Sequence, residues 1–181
     1  MRSNVLTQGF GLANTKPFLL PIYNALGLKG HDGWDWSVRC QNNTAKTGGK
    51  CEPVYCGVSK ELVITYIQED INKGFGVVAT TPDKEWKFLW WHLDSINPEL
   101  KVGGKLETDT LIGIGGNTGQ STGAHLHFAC YRYSEPHDNG YNGAISPEPY
   151  FVNIFAVDYI NNLKAQVGVL TKIINLIKQF I

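Results

Sequence analysis

The spacing of apolar residues changes along this chain. From about residue 54 to about residue 155 they fall in short runs, rich in β-branched and aromatic residues and divided by glycines. "ELVITYIQ" (Glu61 to Gln68) reads as a strand. "GVVATT" (Gly76 to Thr81) and "WKFLWWHL" (Trp86 to Leu93) read as the two arms of a hairpin around "PDKE". "TLIGIGG" (Thr110 to Gly116) and "HLHFACYRY" (His125 to Tyr133) read as two more strands. Strand follows strand with no room for crossover helices, which predicts a mainly β fold built on an antiparallel sheet.

After about Pro149 the period lengthens. Ile160, Leu163, Val167, Leu170, Ile174, Ile177 and Ile181 step by three and four, with mostly polar residues between them and no proline. This is a heptad seam about three heptads long, and it predicts a C-terminal amphipathic α-helix over 156–181. Gly168 weakens that helix by roughly 1 kcal/mol relative to alanine. A seam this narrow favours a short coiled coil with a second copy or a neighbouring segment over a helix docked on its own domain. The expected organisation is one β domain over 1–155 followed by the helix.

Charge and composition narrow the partners. Lys plus Arg equals Asp plus Glu, at 16 each, which argues against nucleic acid or an anionic membrane surface. The first residues, "MRSNVLTQGFG", hold no long apolar run, so neither a usual signal peptide nor a membrane span is expected. Work outside a cytoplasm then calls for another delivery route, or for a chain that is an excised domain. The four cysteines form no zinc knuckle. Cys40 and Cys51 flank the polar loop "QNNTAKTGGK" and are placed to bridge it, while Cys56 and Cys130 sit in strand-like text and are expected as buried thiols. A fully reduced set is the alternative.

The candidate chemistry lies in the histidines. In a strand, residues i and i+2 share a face, so His125 and His127 project together, away from Leu126 and Phe128. "GHDGWDW" adds His31 and Asp35 in an H-x-x-x-D spacing, and imidazole plus carboxylate suits a zinc ion. "WWHLDS" adds His92 in an aromatic run. The fifth histidine, His137, sits in the polar loop "SEPHDNGYNG" and reads as solvated. Alternation places Trp90 on the face of His92, as a cleft wall, and Trp91 in the core. The glycine run "GIGGNTGQSTG" leads into a strand and lacks a P-loop ending, so it is read as a close backbone approach, with Ser121 and Thr122 tying the turn.

Together these segments resemble the lysostaphin-type, LytM-like zinc endopeptidases of bacterial cell walls. "TQGFG" resembles the family's opening turn, "HDGWD" its H-x-G-x-D, "WWHLDS" its aromatic-x-H-L, "GIGGNTGQSTGAHLHF" its S-T-G-x-H-L-H-F signature, and "SPEPYF" its closing segment. The likeness runs from about Leu6 to Phe151. It implies a duplicated-hybrid-motif-like β fold, with His31, Asp35 and His127 as ligands of one Zn²⁺ and His92 and His125 as catalytic histidines. It also implies cleavage of peptidoglycan stems or cross-bridges at the cell wall, with water as nucleophile. No H-E-x-x-H occurs, so histidine is the natural base. Two other readings are a non-catalytic LytM-like activator domain and a wall-opening module built into a phage tail or secretion machine. This chain departs from the family pattern in an expanded polar stretch over Arg39 to Glu52, in Ala124 before the H-x-H, and in Ala129 after it.

Overall fold

The computed structural model describes residues 5–40, 51–72 and 74–148. Among these residues ten strands form one sheet: β1 (Leu6–Gln8), β2 (Trp34–Ser37), β3 (Pro53–Tyr55), β4 (Leu62–Asp70), β5 (Gly74–Thr80), β6 (Trp86–Ile96), β7 (Lys105–Leu106), β8 (Leu111–Gly115), β9 (His125–Arg132) and β10 (Ala144–Ile145). The main path runs β1-β2-β9-β6-β5-β4-β7, with β10 beside β9, and β8 bridging β6 to β3. Among the described residues every pairing of these strands is antiparallel. The sequence expectation of a mainly antiparallel β fold is met.

The core lies on one side of these strands. Leu62, Ile64, Val77, Ala79, Phe88, Trp90, Leu126 and Phe128 are all buried there. Fully burying a side chain of the Leu or Phe kind contributes about 1.5–3 kcal/mol. Phe88 and Phe128 stack with ring centroids 6.1 Å apart, and Trp90 tilts against Phe128 at 5.5 Å. Because alternate strand residues face opposite ways, the same registers send His125, His127 and Asp35 to the other face.

The hairpin around "PDKE" is present. The Thr81 hydroxyl accepts from the Trp86 amide at 3.1 Å, and the Asp83 carboxylate accepts from the Glu85 amide at 2.9 Å. Polar side chains thus satisfy the turn's backbone donors. Cys40 and Cys51 are joined by a disulfide, while Cys56 and Cys130 are buried free thiols. Burial pushes both thiols up to about 12.

The structure corrects the reading of two tryptophans. Trp90 is fully buried, not a cleft wall, and Trp91 is only partly buried. The cause is a β-bulge. Between paired positions, β5 advances from Phe75 to Val77 while β6 advances from Trp90 to Leu93, so β6 carries one extra residue. His92 absorbs it with φ 65°, left-handed backbone that non-glycine residues rarely adopt. Simple alternation therefore fails at His92, and Trp91 and His92 both leave the core side.

The short helix α1 (Leu20–Ala25) was not foreseen from the sequence pattern. Its two apolar residues on either side of a proline, Leu20 and Ile22, give no clear helical period, and Pro21 occupies its first turn, where no amide donor is needed. Among the described residues no helix is long and apolar enough to cross a membrane. The heptad seam and the 155/156 boundary lie outside the described residues.

Candidate active site

Two strands and one loop bring the site together. β2 and β9 pair so that Asp35 stands directly opposite His127. His31 precedes β2 in the H-D-G-W-D turn, where its backbone bridges to Gly11. Asp35 Oδ1 lies 3.1 Å from His31 Nε2 and 3.0 Å from His127 Nδ1, and those two nitrogens are 3.1 Å apart. One donor atom from each of His31, Asp35 and His127 falls within a 4.8 Å cluster.

Backbone carbonyls fix the imidazoles, and a carbonyl only accepts. His31 Nδ1–H donates to Gly9 O at 3.0 Å, so Nε2 is the nitrogen turned to Asp35. His92 Nδ1–H donates to Thr118 O at 2.8 Å. His125 Nδ1–H donates to Gly123 O at 2.8 Å and reaches Ser121 Oγ at 3.1 Å. His92 and His125 therefore both keep Nε2 as an acceptor, and their rings are 4.7 Å apart by centroid. Thr118 is itself anchored, donating to Leu93 O and accepting from the Phe75 amide. The bulge at His92 is what lets this ring meet the H-x-H pair.

The local electrostatics follow from burial and charge. Burial opposes ionisation of Asp35, but hydrogen bonds from His127 and His31 outweigh it and hold the carboxyl far below the usual carboxylate range. Burial and the nearby His125 and His127 push His92 down to about 4. Burial also depresses His125, against the pull of Asp35. Desolvation also opposes charge on the half-buried His127, yet the Asp35 hydrogen bond and the charges of Asp32 and Asp35 hold it above its ordinary value.

All five residues singled out from the sequence thus meet in one cluster, and the remaining histidine, His137, has no contact with it among the described residues. The sequence reading did not pick out Asp32, whose Oδ1 lies 3.7 Å from His127 Nε2, nor Tyr131, which donates to Asp32 Oδ2 at 3.2 Å. Tyr131 lies four residues beyond His127 on β9, and two-residue periodicity points it to the same face. For Asp32 no such signal exists. Also missed were Gly9, whose carbonyl orients His31, and Phe10, which with Trp34 and Glu148 lines a groove of about 430 Å³ beside β1. Gly33 lies close against the site: a β-carbon there would stand 2.8 Å from His127 Cε1 and 2.6 Å from Phe128 O. The imidazole rests against the spot that glycine leaves empty.

An antiparallel sheet that presents two imidazoles and a carboxylate around one point, with two further imidazoles alongside, has the layout of a hydrolytic centre. The chain belongs to peptidase family M23, whose model matches residues 31–139, more than half of its length. Among solved structures it is similar to LytU, with 25% identity, a TM-score of 0.55, and coverage of 82% of this chain and 85% of that one. It is similar in fold to the catalytic domain of the antimicrobial peptidase lysostaphin from Staphylococcus simulans, at 21% identity, TM-score 0.54, and 81% and 90% coverage. It is likewise similar in fold to a zinc-containing peptidase from Vibrio cholerae, at 22% identity and TM-score 0.52, covering 78% of this chain and 35% of that one. No curated protein sequence matches it.

Proposed function

We propose that this chain is a zinc-dependent endopeptidase that hydrolyses peptide stems or cross-bridges of bacterial peptidoglycan, acting at the cell wall. The observation that carries the reading is the convergence of His31 Nε2, Asp35 Oδ1 and His127 Nδ1 within 4.8 Å, beside His92 and His125. The donor set fits zinc: two imidazoles and one carboxylate are the ligand types of catalytic zinc sites that leave a fourth position open. The Gly9 carbonyl also fixes the His31 tautomer in which Nε2 is bare.

On this reading His31, Asp35 and His127 hold the ion, and zinc, when bound, supplies Lewis acidity and lowers the pKa of water to roughly 7. The reaction forms a C–O bond from water to the peptide carbonyl carbon and breaks the C–N bond, with a proton passing from water to the departing amine. His92 and His125 carry that proton. Each has Nδ1–H tied to a carbonyl and Nε2 bare. Burial keeps His92 neutral at pH 7, so it accepts a proton rather than arriving with one. The five positions read as functional from sequence are all present, which counts against a purely non-catalytic role.

Residues 1–155 form the peptidase unit on this reading, and 156–181 a separate helix that joins copies or neighbouring segments. A chain ending at residue 158 is expected to stay folded and to lose self-association in sedimentation. The function itself is tested by incubating the purified protein with defined muropeptides, with and without a zinc chelator, and weighing the fragments. New peptide termini that appear only in the absence of chelator are expected. An intact substrate under both conditions, with one zinc per chain bound, would overturn the catalytic reading.

A further inference from the structure

His127 is the one candidate ligand whose ring is not tied to a backbone carbonyl. Its Nδ1 faces Asp35 and His31, at 3.0 and 3.1 Å. Its other nitrogen, Nε2, faces away from that cluster, toward Asp32 Oδ1 at 3.7 Å. A ring nitrogen that coordinates metal must offer a lone pair, so the ring proton then belongs on the opposite nitrogen. For His127 that nitrogen is Nε2, and Asp32 is the carboxylate that faces it. At 3.7 Å the contact is an ion-pair contact, longer than a hydrogen bond.

Three further features hold Asp32 and the ring in place. Tyr131 donates to Asp32 Oδ2 at 3.2 Å, leaving Oδ1 for His127. Tyr131 is positioned in turn by Lys87, its cross-strand partner on β6, whose ammonium sits 4.0 Å from the phenol ring centroid. Gly33, next to Asp32, lies under the imidazole, where a β-carbon would come within 3.0 Å of Nε2. The Asp32–Gly33 turn therefore forms a seat for one edge of the ring. Asp32 cannot itself join the His31, Asp35 and His127 cluster while it faces the far nitrogen of His127.

We propose that Asp32, steadied by Tyr131, is a positioning residue that holds His127 in its Nε2–H form with Nδ1 turned to the metal, and so sets zinc affinity. The proposal rests on the ligand assignment above. It extends that assignment to a carboxylate–histidine–metal relay through residues that do not touch the ion.

The test is zinc affinity, measured by competition with a chromophoric chelator at fixed pH, for the unmodified chain and for Asp32→Asn, Asp32→Glu and Tyr131→Phe. Asp32→Asn is expected to bind zinc about 10- to 100-fold more weakly, and Asp32→Glu, which keeps the charge, is expected to recover most of the loss. Tyr131→Phe removes one hydroxyl from the same face, and about threefold weaker binding is expected by the same relay. It serves as the decisive variant if Asp32→Asn does not fold. Affinities within twofold of the unmodified chain in both would overturn the relay alone. An unmodified chain that binds no zinc would overturn the ligand assignment and the relay together.

Discussion

Asp35 and His127 face each other as register partners on β2 and β9, with Oδ1 3.0 Å from Nδ1. That contact places a carboxylate and an imidazole, 92 residues apart in sequence, on one point. On the proposed assignment, Asp35→Ala removes one of three ligands and leaves the His127 ring without its main partner. The expected result is loss of bound zinc and of turnover, read by metal analysis of protein dialysed against trace zinc. His92→Ala and His125→Ala are expected to keep the metal and lose most turnover. Full metal retention in Asp35→Ala would remove Asp35 from the ligand set.

The backbone at His92 makes a second, separable prediction. Its φ of 65° costs a non-glycine residue about 1–2 kcal/mol. His92→Gly and His92→Ala delete the same imidazole, but only glycine adopts this conformation freely. The glycine variant is expected to be more stable than the alanine variant by about 1 kcal/mol, measured by denaturant unfolding. Equal midpoints and slopes would show that the bulge relaxes elsewhere.

Gly76 lies beneath Trp91. A β-carbon at position 76 would come 2.2 Å from Trp91 Cε3 and 2.6 Å from Cδ2, so the indole would have to move. Gly76→Ala is expected to destabilise the fold by about 1–3 kcal/mol through overpacking. Gly123 offers a control, since nothing lies within 4 Å of its β-carbon position. Gly123→Ala is expected within about 0.5 kcal/mol of the unmodified chain. Thermal melts of the two variants settle the comparison.

The buried thiols set an alkaline limit. Burial raises Cys56 and Cys130 from 9.0 to about 12. Between those values the unfolded chain releases thiol protons that the folded chain retains. The unfolded state then binds fewer protons, so unfolding free energy falls as pH rises. Their contribution is complete below pH 9 and is lost as pH climbs toward 12. Cys56→Ala/Cys130→Ala is expected to show a shallower decline in melting temperature over that range, despite a lower starting value from the cavities it creates. Parallel declines would mean that other groups govern the alkaline limit.

Much of this architecture was legible in the residues. The 61–68, 76–81, 86–93, 110–116 and 125–133 runs emerge as strands within a few residues of their observed ends, because strand alternation and glycine turns are local signals. The Cys40–Cys51 bridge was legible as a loop flanked by two cysteines, with the reduced set as the alternative. The roles of Trp90 and Trp91 were inverted because the one-residue bulge shows only when β6 is laid beside β5. Asp32 was passed over because a carboxylate next to His31 has no periodicity to reveal that it faces His127.

The sequence alone determined the kinds of residue available and, on β9, the face that buries Leu126 and Phe128, since the two-residue period and the side-chain chemistry are properties of neighbours in the chain. It also placed His31, Asp35, His92, His125 and His127 as one candidate set, through motifs that resemble a known family. Only the tertiary structure decided the distances between them, the nitrogen that each ring presents, and the partner on its far side. Those depend on strand register, on the bulge at His92 and on carbonyls from remote loops at Gly9 and Thr118. Contacts between segments far apart in the chain come into being when the sheet closes, and no local pattern of residues encodes their geometry.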